Sequence, residues 1–478
     1  MSWMKLWRAY RMDNAYPEYQ SVNQKWAKEI PSHWRMERLK LVFGLRKEAN
    51  NPVITDNILS LTAKQGVVPY AEKEGVGGNK PKADLTKYNI CREGDLLVNN
   101  MNVVSGAAGA SRYTGCVSPV YYPLVLRHED NVWYYHYIFR LVTFQRSLIG
   151  LGKGILMHES DNGTLTSVRM RISMDYLGNV LLPIPPRAEQ DQIVRFLDWK
   201  VSEINKLIGV RRKEIQELEE FRTVKLTSIT HYGLNKNRTL KDTGYSWIGA
   251  IPADWHVRAF SKVASVKSNI VQPESYMEEM QVSPASIEKN TGKIIQTQTV
   301  KESGIISGNH RFYQGQILYS KVRPLLNKVA IAPFDGLCSA DMYPIETALD
   351  TKYFLYFMLS QNFLGQLSMS GNRVKMPKIN QDELSSVLIL FPDIKEQKLI
   401  AKKLDQLFAL VDGQIERIKQ NTSLLQELKS VVISDVVTGK IDVRNVTVPE
   451  YEHVDDFVDD DCENCEETEE TKTDGEEA

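Results

Sequence analysis

Trp26-Ala27-Lys28-Glu29-Ile30-Pro31-Ser32-His33-Trp34 returns 221 residues later as Trp247-Ile248-Gly249-Ala250-Ile251-Pro252-Ala253-Asp254-Trp255, with both tryptophans and the Ile-Pro pair at the same spacing. The shift still holds where Gly94 meets Gly315, Ser118 meets Ser339 and Tyr122-Pro123-Leu124 meets Tyr343-Pro344-Ile345. The framework from Trp26 to Leu124 has been duplicated with its spacing intact. A second block repeats at a shift of 207: Leu181, Pro185, Glu189-Gln190 and Ile193 match Leu388, Pro392, Glu396-Gln397 and Ile400. The first copy is therefore 14 residues longer somewhere between Leu124 and Leu181. So long a period exceeds that of a solenoid repeat, and each unit should be a domain plus a helix. Two like domains on one chain suggest a two-part target.

With 478 residues, 42% of them hydrophobic, the chain exceeds what one hydrophobic core supports, and two domains fit. No apolar run reaches the roughly 18 residues that cross a bilayer. The start Met1-Ser2-Trp3-Met4-Lys5 lacks the apolar core of a signal peptide, so a cytoplasmic location and no membrane partner are expected. Cys91, Cys116 and Cys338 read as reduced, partly buried thiols. Cys462 and Cys465 have metal-ligand spacing but no second pair, so no metal is expected. Charge is segregated: residues 449–478 hold 15 Asp or Glu against Lys472, which leaves 58 basic and 45 acidic residues, or +13, on residues 1–448. A basic body suits a polyanion, whose condensed counterions it releases. The acidic tail should be disordered.

Seven segments emerge: an N-terminal extension (1–19), a first mixed domain (20–185), a helix (186–233), a linker (234–246), a second mixed domain (247–391), a second helix (392–440) and an acidic tail (441–478). Strand-like runs such as Asp95–Val98 and Val120–Tyr122 stand among Gly, Pro and Asn turns, while Tyr134–Leu148 and its counterpart Lys352–Gln366 read as buried helix. This alternation predicts an α+β fold with a twisted sheet in each domain rather than a doubly wound one. Leu404, Leu407, Val411, Gln414, Ile418, Asn421, Leu425, Leu428 and Val432 form a coiled-coil seam, with Gln414 and Asn421 as polar register markers. The first helix has a looser stripe, Ile193, Leu197, Ile204, Ile208, Ile215 and Leu218, interrupted by Gly209. Each helix is the natural partner of the other, and connectivity permits either direction of pairing. About 44 residues at about 1.5 Å each make a rod of about 65 Å, long enough to serve as a ruler.

Catalytic constellations are missing. Gly150-Leu151-Gly152-Lys153-Gly154 lacks the spacing of a phosphate-binding loop and has no Ser or Thr after Lys153. Asn51-Pro52-Val53 is not the Asn-Pro-Pro-aromatic run of amino-methyltransferases and reads as a turn. The eight histidines show no metal-helix spacing, and His33 and His256 read as solvent-facing. A binding protein is favoured. Asn99, Asn100 and Asn102 follow a strand where the second copy carries Ser320, Lys321 and Arg323. Asn pairs bidentately with adenine and Arg with guanine, so the exchange would alter the bases read on a kept scaffold. Further candidate DNA contacts are Ser111, Arg112, Lys153, Arg169 and Arg171, with Asn327, Lys328, Arg373, Lys375 and Lys378 in the second copy. For any one of them a phosphate contact is the commoner outcome.

The Trp-x-x-x-Ile-Pro-x-x-Trp run, introduced by Lys241–Gly249, the Pro-x-x-x-Glu-Gln helix openings at Pro185 and Pro392, and the closing Thr438-Gly439-Lys440 together resemble the specificity subunit of type I restriction-modification systems. Copy one departs at its helix end, where His231-Tyr232-Gly233 stands instead of Thr-Gly-Lys. The resemblance implies two target recognition domains reading the halves of a split double-stranded DNA sequence. It implies that the two long helices pair as an antiparallel coiled coil with pseudo-twofold symmetry. It also implies a non-catalytic chain, with adenine methylation, translocation and cleavage on separate methyltransferase and restriction subunits that bind S-adenosylmethionine, ATP and Mg. The competing reading is a coiled-coil adaptor that joins protein partners without touching DNA.

Overall fold

The computed structural model describes residues 7, 10–11, 13–62, 65–73, 81–154, 158–159, 165–166, 170–235, 237–370 and 378–455. Arg169, Arg373, Lys375, Cys462, Cys465 and the acidic run after Asp455 lie outside the described residues. Four helices organise the rest: α1 (Val132–Phe139), α2 (Arg187–Tyr232), α3 (Thr351–Leu359) and α4 (Ile394–Val437). The chain divides into two compact units, Met1–Arg212 with Lys419–Ala478, and Lys213–Ile418. This differs from contiguous domains followed by helices, because each unit takes a part of both long helices.

In the first unit, β1 (Tyr19–Ser21) pairs antiparallel with β2 (Glu29–Pro31). Strands β3 (Arg35–Arg38), β4 (Phe43–Leu45), β5 (Leu96–Asn99), β6 (Ala108–Ala110), β7 (Tyr121–Leu126) and β8 (Leu181–Ile184) follow. β8 pairs with β3, and a four-stranded antiparallel sheet has the order β4-β7-β5-β6. Every residue of β5 is buried, as its unbroken apolar run Leu96-Leu97-Val98 requires of a central strand. Tyr134, Tyr135, Ile138 and Phe139 of α1 fill the core with Trp34, Phe43 and Phe144.

The second unit repeats this plan at the two shifts read from the sequence. Its strands are β9 (Leu240–Asp242), β10 (Ala250–Pro252), β11 (His256–Ala259), β12 (Ala264–Val266), β13 (Ile317–Ser320), β14 (Val329–Ile331), β15 (Met342–Thr347) and β16 (Leu388–Phe391). The sheet order β12-β15-β13-β14 and the pairing of Leu388 with Ala259 reproduce the first unit, where Leu181 pairs with Arg38. The copies diverge between β4 and β5. There the first has the hairpin Leu59–Thr62 with Gly66–Pro69, and the second has strands that join a five-stranded sheet.

The long helices pair antiparallel within each unit. In the first, Lys429 Nζ donates to Asn205 Oδ1 at 3.0 Å, and Gln192 Nε2 donates to the carbonyls of Val443 and Val446 at 3.0 and 2.7 Å. In the second, Arg222 Nη1 meets Asp412 Oδ1 at 3.0 Å and Arg238 Nη2 meets Glu396 Oε2 at 3.0 Å. Within each unit, rising numbers along α2 and the segment after it meet falling numbers along α4 and the segment after it. α2 runs through Gly209 without a break.

Two expectations are corrected. Gln414 and Asn421 are exposed, because Phe408 and Ile415, four residues beyond Leu404 and Val411, turn the buried face away from them. Residues 441–455, expected to be tail, pack on the first unit. Ile441 and Val443 are fully buried, Asp442 N donates to Asn14 O at 2.7 Å, and Asn205 Nδ2 donates to Val454 O at 2.9 Å. Burial of apolar side chains offsets the acidic composition there. His33 is exposed, as expected, and its Nε2 lies 2.9 Å from Glu189 Oε2.

Candidate nucleic-acid interface

In each copy the central strand runs into a loop held from behind. Asn100 O accepts from Ile172 N at 2.8 Å, and the equivalent Lys321 O accepts from Ile379 N at 2.9 Å. Tyr122 and Tyr343 hydroxyls reach the carbonyls of the same Ile172 and Ile379 at 3.4 and 3.5 Å. The stretch before Ile172 or Ile379 is where the copies differ in length. The shift is 219 at Leu148 and Leu367 but 207 at Ile172 and Ile379, so most of the extra 14 residues of copy one fall between Leu148 and Ile172. The backbone bond that supports the loop is thus kept in both copies, while the stretch of sequence before it varies in length.

The structure sorts the sixteen predicted positions into three groups. Asn99, Asn100, Ser111, Ser320 and Asn327 are buried. Asn99 Oδ1 accepts from Met101 N at 3.0 Å, and Ser111 Oγ donates to Tyr113 O at 2.7 Å. Ser320 Oγ donates to Val322 O at 3.1 Å, and Asn327 Nδ2 donates to Leu359 O at 3.1 Å. These four side chains are buried and hydrogen-bonded to backbone, which holds the shape of the loops and keeps them from a base edge. Asn100 and Asn327 each keep a buried Oδ1 without a hydrogen-bond partner.

Exposed or half-buried side chains form the second group. Asn102, Arg112, Arg171, Arg323 and Lys378 are exposed, and Lys321 and Lys328 are half-buried. The Arg112 guanidinium lies 4.9 Å over Trp133, Lys321 Nζ lies 5.2 Å over Tyr343, and Lys378 Nζ meets Asp341 Oδ1 at 3.1 Å. Lys153 is placed in a short strand whose backbone pairs with Arg171. The third group, Arg169, Arg373 and Lys375, lies outside the described residues.

Arg323 and Asn327 bracket a single 3-10 turn, Pro324–Leu326, and both adopt left-handed backbone, φ 48° and 47°. Gly106 occupies the place of Asn327 in copy one with φ 87°. The residue equivalent to Arg323 is Asn102, whose φ is −127°. At this aligned position it is the second copy that holds a long cationic side chain on strained backbone, and such strain clusters where a side chain must be aimed. Behind this loop, burial holds the His310 imidazole below its ordinary pKa, with the Lys321 charge adding to the effect.

Sequence reasoning picked out the Glu-Gln pairs but missed what they do. Glu189 Oε1 accepts from Trp34 Nε1 at 2.9 Å and from the Tyr16 hydroxyl, tying the duplicated tryptophan to the start of α2. Asp341, the acid that holds Lys378, was also missed, for an acid at a basic loop carries no signal in composition. Among the described residues no group of three or more His, Cys, Asp or Glu could hold a metal, and no helix is long and apolar enough to cross a membrane. Cys91, Cys116 and Cys338 are buried, and burial pushes the thiols of Cys91 and Cys338 up to about 12.

A duplicated mixed domain, two long helices antiparallel in each unit, and matched loops with unmatched side chains define a class of proteins built by internal duplication of a domain and a helix. Residues 255–420 match the family model of the type I restriction modification DNA specificity domain. It is 29% identical over 357 residues to the type I restriction enzyme EcoDI specificity subunit of Escherichia coli, covering 70% of this chain and 76% of that one. It is 25% identical over 281 residues to the type I restriction enzyme MjaVIII specificity subunit of Methanocaldococcus jannaschii, covering 56% and 64%. Its fold matches a chain in a solved structure on complex assembly and conformational transition of the type I restriction-modification system, with TM-score 0.60 at 13% identity over 85% of this chain and 98% of that one.

Proposed function

We propose that the chain is the DNA-reading subunit of a type I restriction-modification complex, each unit reading one half of a bipartite double-stranded target. It is non-catalytic in this reading. Methyltransferase subunits supply adenine methylation with S-adenosylmethionine, and restriction subunits supply ATP- and Mg-dependent translocation and cleavage. The observation that carries this is the pair of loops after β5 and β13, whose backbone supports coincide while Asn102 faces Arg323 in the alignment of copies. A recognition scaffold that must read two different half-sites needs that combination of kept frame and changed side chains. The net +13 of residues 1–448 supports a phosphate-backbone contribution to binding. The continuous lengths of α2 and α4, 46 and 44 residues, support a fixed gap between half-sites.

Methylation mapping in cells that carry this chain with its cognate methyltransferase subunits tests the reading. A methylated motif of two short half-sites with a constant spacer is expected, and four residues inserted into each long helix should change the spacer alone. Methylation that does not depend on this chain, with partner proteins still bound to it, would instead favour the adaptor.

A further inference from the structure

The first unit has a cavity of about 490 Å³ on the side of its sheet that ends in the Asn99–Asn102 loop. Its walls include Tyr70, Tyr88 and Tyr121, its polar groups include Ser60 and Ser118, and Lys82 and Lys87 stand at it. A second cavity of about 290 Å³ shares Pro119 and Tyr121 and adds Arg46 and Lys47. The volume lies within the range of small-molecule sites, roughly 300–1,000 Å³. Flat aromatic walls suit a planar ring, and ammonium groups suit an anion attached to it. Lys87 is 76% exposed and its partner Asp84 sits at 3.6 Å on the surface, a pair weak enough to yield to a phosphate.

Position ties the cavity to the candidate interface. Tyr121 lies opposite Asn99 in the ladder of β5 and β7, and Asn100 N donates to Val120 O at 3.2 Å. The same two-residue strand end thus forms the loop on one side and the cavity wall on the other. The second unit cannot repeat it: Tyr121 is replaced by the fully buried Met342, Pro119 by Ala340, and Val120 by Asp341, whose carboxylate would repel a phosphate.

We propose that this cavity binds a single nucleotide, the base among Tyr70, Tyr88 and Tyr121 and the phosphate near Lys82 and Lys87. One source is an unstacked nucleotide of bound DNA, which rests on the DNA-reading function above; the other is a free mononucleotide.

The full chain is titrated calorimetrically with thymidine 5′-monophosphate, deoxyribose 5-phosphate and inorganic phosphate, as wild type, Tyr70→Ala and Lys87→Glu. Both substituted side chains are exposed, and melting curves check the fold. In parallel, 2-aminopurine is placed through the duplex that methylation mapping defines, with binding followed by gel shift. Saturable binding of the nucleotide, weaker by about tenfold in each variant and weaker for the two base-free probes, supports a free ligand. A 2-aminopurine signal that rises on wild-type binding and is lost in Tyr70→Ala supports the duplex as source. Neither signal, equal binding of deoxyribose 5-phosphate and the nucleotide, or signals unchanged in both variants would overturn the pocket. If the duplex still shifts in that case, the pocket falls alone. If no duplex is ever bound, the DNA-reading function falls and the mononucleotide titration decides the pocket by itself.

Discussion

The Gln190 side chain caps the helix that Asn131 begins: its Oε1 accepts the Asn131 backbone N–H at 2.7 Å, while its Nε2 donates to Pro185 O at 3.0 Å. Gln397 makes the same two bonds, to Asp350 N at 2.8 Å and Pro392 O at 2.8 Å. Both amides are buried. The duplicated Pro-x-x-x-Glu-Gln run therefore joins three elements at one point, the end of β8 or β16, the first turn of α2 or α4, and the start of α1 or α3. Tyr137 and Tyr356 add a second rivet, their hydroxyls donating to Asp198 and Asp405 at 2.6 and 2.8 Å.

Gln190→Ala leaves a half-buried N–H and a buried carbonyl without the amide that bonds them, so it should destabilise the first unit by about 1–3 kcal/mol. Urea unfolding followed by circular dichroism measures this. A loss below about 0.5 kcal/mol, the scale of an ordinary surface substitution, would show that the joint is not held by the amide.

Truncation separates the packed segment from the acidic run beyond it. Ending the chain after Asp455 should leave the melting temperature of the first unit unchanged. Ending it after Lys440 removes Ile441 and Val443 from the core and strips Gln192 of both acceptors, for a loss of at least about 2 kcal/mol. Equal stability of the two truncations, measured by scanning calorimetry, would mean the packing of 441–455 contributes nothing.

How far the fold was legible follows from which signals are local. The shifts of 221 and 207 survive as matched strands and registers because spacing along a chain is conserved wherever the hydrogen-bond ladder is. The helical period located α2 and α4 for the same reason. What failed depends on tertiary neighbours. A strict 3-and-4 seam through Gln414 and Asn421 was read where burial follows Phe408 and Ile415, a choice made by the partner helix and not by the period. At the candidate interface, Asn99 and Asn100 look free at a strand end, yet both are buried, and Asn100 O accepts from Ile172 N, 72 residues further on. Acidic composition hid the apolar Ile441, Val443, Val446 and Val448, which pack on the first unit.

Acid should loosen the second unit through His310. Its folded-state pKa is depressed by burial, so the unfolded chain takes up the proton first, near the ordinary 6.5. Stability is then fully present above that value and is lost as pH falls from it toward the lower folded pKa. Between pH 7.5 and 5.5 the wild type should lose more thermal stability than His310→Gln, which cannot titrate. Parallel pH profiles of the two proteins would remove His310 as the cause.

Arg323 separates strain from reading. Its φ of 48° costs a residue with a β-carbon about 1–2 kcal/mol relative to the right-handed region, a penalty glycine escapes. Arg323→Gly should therefore raise the stability of the second unit by up to about 1 kcal/mol, while Arg323→Ala keeps the strained backbone and gains nothing. If the guanidinium reads a base, both variants relax the same single position of one half-site, by about 1–3 kcal/mol of discrimination, although their stabilities move apart. Methylation mapping of both variants beside thermal melts provides the two readouts. Weakening that is uniform over all sequences would mark a phosphate contact instead. A glycine variant no more stable than alanine would mean the loop pays for the left-handed turn with contacts made by the arginine side chain itself.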